Sequence, residues 1–109
     1  MKEKIVYIAH PIGGDVQANL ADLRRILRKL NLAHDNIVPF CPYYADVVSL
    51  DDSVPEERAR GLLNDHALFA AGFIDEVWLT GDRISEGMQK EKELAILRGI
   101  PVYNYIGLI

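Results

Sequence analysis

Ser85, Gly87 and Glu91 are spaced for chemistry at the opening of a helix. They lie in the stretch Ile84-Ser85-Glu86-Gly87-Met88-Gln89-Lys90-Glu91-Lys92-Glu93-Leu94-Ala95. An apolar run that reads as a strand, Val77-Trp78-Leu79, and a turn, Thr80-Gly81-Asp82-Arg83, precede it. A serine and a glycine therefore stand where a strand hands over to a helix. The first amides of a helix have no partner within it and are free to donate to a ligand. In a parallel α/β sheet, ligands bind at the carboxyl ends of strands, in turns of this kind. Glu91 lies about one helical turn further in, close enough to face the same crevice.

These residues need a frame, and the rest of the chain supplies one. Ile5-Val6-Tyr7-Ile8-Ala9 is a continuous apolar run of the type buried on both faces of a parallel sheet. His10-Pro11-Ile12-Gly13-Gly14-Asp15 follows as a tight loop, with Asp15 a candidate N-cap. Residues 16–30 carry Leu20, Leu23, Ile26, Leu27 and Leu30 at helical spacing, with Arg24, Arg25, Arg28 and Lys29 towards the carboxyl end, where cations suit the dipole. A loop is predicted over 31–36 and a short strand at Ile37-Val38, limited by Pro39. Phe40-Cys41-Pro42-Tyr43-Tyr44 reads as an aromatic loop, and residues 46–54 carry no clear pattern. Asp51, Asp52 and Ser53 are expected to cap a helix that starts near Pro55 and runs to about residue 71. Its candidate core residues are Leu62, Leu63, Leu68 and Phe69, and Gly72 is its stop. A third strand is predicted over 74–79, a third helix over 86–98, closing at Gly99, and a fourth strand over 100–106.

This alternation predicts a single α/β domain over residues 1–109. It is a flavodoxin/Rossmann-like three-layer sandwich, with a parallel sheet of about four strands, right-handed crossovers and helices on both faces. The expected strand order is 2-1-3-4, with the switch point between the first and third strands, so the site should lie between the loops at 10–15 and 80–87. Tyr7, His10, Gly13, Gly14 and Asp15 converge there from the first strand and loop. Pro39, Phe40, Pro42, Tyr43 and Tyr44 come from the second strand and its loop, Asn64, Asp65 and His66 from the second helix, and Ser85, Gly87, Met88 and Glu91 from the third.

Composition narrows the function classes. Of the 109 residues, 50% are hydrophobic and 26% charged, ordinary for a globular domain. A net charge of −4 argues against a polymeric nucleic acid or an anionic membrane as partner, since phosphates favour a basic face. The single cysteine, Cys41, excludes an intrachain disulfide and an all-cysteine metal site, and the three histidines are too scattered to suggest a metal. Gly13-Gly14 lacks both the three-glycine dinucleotide spacing and a P-loop lysine, so no cofactor is expected. The first apolar run is too short for a signal peptide or a membrane span, and a cytoplasmic protein is expected.

Three segments together resemble a known superfamily. They are Tyr7-Ile-Ala-His-Pro-Ile-Gly-Gly-Asp15, the aspartate at Asp65, and Ser85-x-Gly87-Met88-x-x-Glu91-x-x-x-Ala95 with Gly99-Ile-Pro-Val after it. In order and over nearly the whole chain they resemble the nucleoside 2-deoxyribosyltransferase superfamily, which includes the deoxynucleoside 5′-monophosphate N-glycosidases. The most specific part is the run from Ser85 to Ala95. The resemblance implies that Glu91 is the nucleophile at the anomeric carbon, that Tyr7 orients it, and that Asp65 helps protonate the departing base. It implies that Ser85 contacts the 5′ end of the sugar, with His10, Gly13, Asp15, Pro42, Gly87 and Met88 as further substrate-binding residues. The implied activity is cleavage or transfer of the N-glycosidic bond of a small-molecule nucleoside or nucleotide. A carboxylate that stabilises an oxocarbenium-like centre, with a second carboxyl assisting the leaving group, suits that chemistry.

Plainer readings stand beside these. Glu91 lies among Lys90, Lys92 and Glu93, and a mixed charge run reads as a solvated face. Ser85 reads as an N-cap, Gly87 as a site of close backbone approach, Tyr7 as a core tyrosine and Asp65 as a polar residue of an amphipathic helix. His34 and His66 read as structural or surface residues, and Cys41 as packing. The alternative function is a catalytically inactive nucleotide-binding or sensor module of the same fold; a structural, partner-binding domain is a third. The last strand would be a sheet edge, and Tyr103, Tyr105, Ile106, Leu108 and Ile109 add apolar surface there. A homo-oligomer, most simply a dimer, is expected.

Overall fold

A computed structural model describes residues 3–33 and 36–109, so His34 lies outside the described residues. The elements follow in the order β1 (Lys4–Ala9), α1 (Val16–Ala33), β2 (Ile37–Phe40), α2 (Tyr43–Ser49), α3 (Pro55–Ala70), β3 (Glu76–Leu79), α4 (Glu86–Leu97) and β4 (Val102–Asn104). Every pairing is parallel and the sheet order is β2-β1-β3-β4. This is the order expected from the alternation of apolar runs and helical stripes.

Successive residues of a strand face opposite sides, so β1 divides the core in two. Val6 and Ile8 join Trp78 beneath Leu23, Ile26 and Leu30 of α1. Tyr7 and Ala9 join Val77 and Leu79 on the other side, against Phe69 of α3 and Met88 and Ala95 of α4. Helices thus cover both faces, and the chain is a three-layer α/β domain of flavodoxin/Rossmann-like type. Tyr105, at the end of the chain, turns onto Trp78 with ring centroids 4.6 Å apart, which leaves Tyr103 and Leu108 as the exposed apolar side chains of that region.

Several elements differ from expectation for local reasons. Helix α1 continues to Ala33, with Asn31 Nδ2 donating to the Leu27 carbonyl at 2.8 Å. Strand β2 runs through Pro39 to Phe40 because it is an edge, where a residue without an N–H is tolerated. The aromatic segment expected as a loop gives rise to α2 from Tyr43, a short helix with no buried residue. The cap of α3 is Val54, not the preceding acidic residues. The Asp51 carboxylate instead accepts from the Ser53 amide at 3.0 Å and the Ser53 hydroxyl at 2.6 Å. Helix α3 turns Asp65 and Phe69 towards the sheet, so Leu62 and Leu63, expected in the core, are 46% and 63% exposed. Strands β3 and β4 are shorter than the apolar runs that contain them.

The loops that follow β1 and β3 are pinned to each other. The Thr80 amide and hydroxyl both donate to the Ala9 carbonyl, each at 2.8 Å. Gly81 has φ 91°, and a Cβ there would come within 2.7 Å of Pro11 Cδ, so both its backbone conformation and its close approach require glycine. Between these loops the carboxyl ends of β1 and β3 open the crevice that the topology demands.

Candidate active site

The face of β1 that carries Tyr7 is covered by both α3 and α4. On α4, the spacing Met88-x-x-Glu91-x-x-x-Ala95 puts three side chains on one stripe, and Met88 and Ala95 are fully buried. Glu91 is therefore turned inwards, away from the solvated face of its charged neighbours. On α3, Asp65 stands one turn before the buried Phe69 and faces the same way. Two carboxyl groups from two helices meet over the middle of the first strand.

The Tyr7 hydroxyl donates to Asp65 Oδ1 at 2.7 Å and is also hydrogen-bonded to Glu91 Oε2. One phenolic proton cannot be donated to two carboxylate oxygens at once, so the second contact is satisfied when that carboxyl carries a proton of its own. The electrostatics agree. Burial pushes the Glu91 carboxyl up to about 8, and the Asp65 charge beside it adds to the shift while the Tyr7 hydroxyl opposes it. Burial also holds Asp65 above the ordinary carboxylate range, against the pull of its hydrogen bonds to Tyr7 and Glu91. Tyr7 is raised well above a normal phenol, first by burial and then by the two carboxylates, so it stays a donor. Its ring is fixed by Phe69 at 4.8 Å and Tyr43 at 5.8 Å, and the Tyr43 hydroxyl is itself bound to the Ile8 carbonyl at 2.7 Å.

The cluster opens into a cleft of about 1080 Å³ between the first loop, α2, α3 and the start of α4. That volume suits a small molecule. Asp65 and Glu91 line it, and so do His10, Gly13, Ser85, Gly87 and Met88, whereas Tyr7 lies behind them, fully buried. Asp15 and Pro42 stand outside the lining. Asp15 caps α1, accepting from the Ala18 amide at 3.1 Å, and Pro42 precedes α2.

Ser85 is both cap and wall: its Oγ accepts from the Met88 amide at 3.2 Å while its own amide reaches Met88 Sδ at 3.4 Å. At Gly87 an added Cβ would meet only Ser85 Oγ, at 3.9 Å, so the glycine keeps the cleft open and is not demanded by packing. The His10 ring is engaged at both nitrogens, Nδ1 with the Pro11 carbonyl at 2.7 Å and Nε2 with Asp22 Oδ2 at 2.8 Å. Asp22 is held below the usual carboxylate range by His10 and by Arg25, which binds its other oxygen at 2.8 Å. His10 thus anchors the first loop to α1 and forms part of the wall. His66 lines the cleft and is exposed. Burial pushes the Cys41 thiol up to about 12, which leaves it a packing residue at neutral pH.

Three contributions were hidden in the sequence. Helix α2 and its C-cap bring Asp46, Val47 and Leu50 to the cleft, and the helix's lack of a buried stripe left no periodic signal. Arg83 spans the two loops, donating to the Gly13 carbonyl at 3.1 Å. Asp22 holds His10 from a helix face that reads as solvated. Among the described residues, no three His, Cys, Asp or Glu side chains are grouped to hold a metal ion, and no helix is long and apolar enough to cross a membrane.

Comparison with known proteins gives a family. The model of a family described as a domain of unknown function (DUF7768) matches residues 4–105, and the chain belongs to that family. No curated protein matches the chain.

Proposed function

We propose that this member of the DUF7768 family breaks the N-glycosidic bond of a small nucleoside or nucleotide through Tyr7, Asp65 and Glu91. The observation that carries the reading is the convergence of two carboxyl groups on one buried tyrosine hydroxyl, at the floor of a cleft of ligand size. Breaking such a bond builds positive charge at C1′ and requires a proton for the departing base nitrogen. A buried pair that carries one proton between its two carboxyls would supply both that proton and a carboxylate.

In this mechanism the pair's proton passes from Glu91 to Asp65 through the Tyr7 hydroxyl that joins them, and a Glu91 oxygen bonds to C1′ as the C1′–N bond breaks. The electron pair of that bond stays with the base, which takes the shared carboxyl proton through Asp65. Water then attacks C1′, the bond from C1′ to Glu91 breaks, and the proton released by the water returns to Asp65. The net change is addition of water across the C–N bond. Transfer results when a second base takes the place of water. Two carboxyls that share one hydroxyl leave little space for a water between them, which favours the covalent route over direct inversion. His10, Gly13, Ser85, Gly87 and Met88 would shape the pocket for the sugar and base.

The test is release of free base from nucleosides and their 5′-monophosphates, ribo and deoxy, with Glu91→Ala alongside. Release that the substitution abolishes supports the reading. The alternative, a binding module without chemistry, draws its support from the raised Glu91 carboxyl, since a protonated carboxyl is no nucleophile. It predicts that ligands raise the melting temperature while no base is ever released.

A further inference from the structure

The charge of the cleft goes beyond the bond broken, to the substrate that enters. Apart from the Asp65–Glu91 pair, five carboxylates line it, Asp46, Asp51, Asp52, Glu57 and Glu86, against three permanent cations, Arg58, Arg83 and Lys90. The cations near the helix start are already engaged. Arg83 holds Asp82 at 2.8 Å and the Gly13 carbonyl at 3.1 Å, and Lys90 faces Glu86 at 3.8 Å. The positive end of α4 is likewise answered from within: Ser85 Oγ takes the Met88 amide, and Glu86 puts a carboxylate in the first turn. Across the cleft, Asp51 is held in its ionised form by hydrogen bonds from Ser53.

A phosphate brought to such a cleft would meet more carboxylates than cations along its rim, a like-charge field that opposes its entry. We propose that the cleft selects by charge, and that its substrate is an uncharged N-glycoside without a 5′-phosphate. The proposal rests on the cleavage reading above and restricts it. It names Glu86 and the acidic rim of Asp46, Asp51, Asp52 and Glu57 as specificity determinants, with no part in bond breaking.

The experiment compares each nucleoside with its own 5′-monophosphate on the intact protein, at low and at moderate salt. The nucleoside is expected to be cleaved with a kcat/KM at least about tenfold higher, and the ratio should shrink as salt screens the rim. Glu86→Gln should raise the monophosphate's kcat/KM relative to the nucleoside's by about threefold. Equal or faster cleavage of the monophosphate overturns the proposal and leaves the cleavage reading standing. If no base is released from either compound, the cleavage reading fails and calorimetric binding of the same pair decides the proposal. Tighter binding of the nucleoside supports it. Equal or tighter binding of the monophosphate, or binding of neither, overturns it.

Discussion

Tyr7, in the middle of the first strand, and Glu91, on the last helix, are hydrogen-bonded across the core, and the same hydroxyl holds Asp65 at 2.7 Å. Tyr7→Phe keeps the ring that packs on Phe69 and removes only that donor. Two carboxyls then face each other without it. Base release is expected to fall by about 10²-fold, the scale for losing one preorganised donor. Because the hydroxyl pulls the Glu91 carboxyl down, its loss should move the alkaline limb of the pH–rate profile to higher pH. A merely structural tyrosine would leave that limb in place.

The pH profile of the unaltered protein follows from the shared proton. Cleavage requires the carboxyl pair to hold one proton for the departing base. That proton is lost as pH rises through about 8, where burial and the Asp65 charge have placed the Glu91 carboxyl. Activity should therefore be flat or rising through neutral pH and fall about tenfold per unit above about 8. Initial rates of base release across a buffer series measure this. An alkaline plateau would show that the pair's proton is not the one transferred.

Stability should carry the same signature. Unfolded Glu91 loses its proton near 4.5, whereas folded Glu91 keeps it up to about 8. Between these values the native state binds the extra proton, so stability is greatest at low pH in this window and declines as pH rises, by at most about 1.4 kcal/mol per unit. The raised Asp65 acts in the same direction. Glu91→Gln removes the charge that must be buried, so its stability relative to wild type should grow from about pH 5 to about pH 8. Urea unfolding at several pH values reads this directly. A difference that does not change with pH would mean that Glu91 ionises freely in the folded state.

Strand order and layering were legible because they follow from repeated signals. Apolar runs at Ile5 and Val77, and stripes such as Leu20-Leu23-Ile26-Leu30, are sustained patterns, and alternation of the two types implies the parallel sheet. The inward turn of Glu91 was half legible. Its charged neighbours suggested a wet face, and only Met88 and Ala95 at helical spacing put it on the buried one. Leu62 and Leu63 misled for the converse reason: apolar character did not reveal that Asp65 would take the inward stripe of α3. Helix α2 left no periodic trace because it buries nothing fully and serves as a rim. The His10–Asp22 contact depends on how a loop returns to a helix, which spacing does not encode.

Two glycines separate fold from function. At Gly81 the backbone has φ 91° and an added methyl would lie 2.7 Å from Pro11 Cδ, so Gly81→Ala must either strain the turn or push the first and third loops apart. It should cost about 2 kcal/mol or more, by the usual penalties for overpacking and for a side chain in left-handed backbone. At Gly87 the nearest atom is Ser85 Oγ at 3.9 Å and the position is helical, so Gly87→Ala should be neutral or stabilise by about 0.5–1 kcal/mol. Its methyl, however, enters the cleft beside Ser85. Urea unfolding and base release measured on both variants should give opposite patterns: a weakened fold for Gly81→Ala, and for Gly87→Ala an intact fold with a raised KM. A destabilised Gly87→Ala would show that this glycine serves packing and not the ligand.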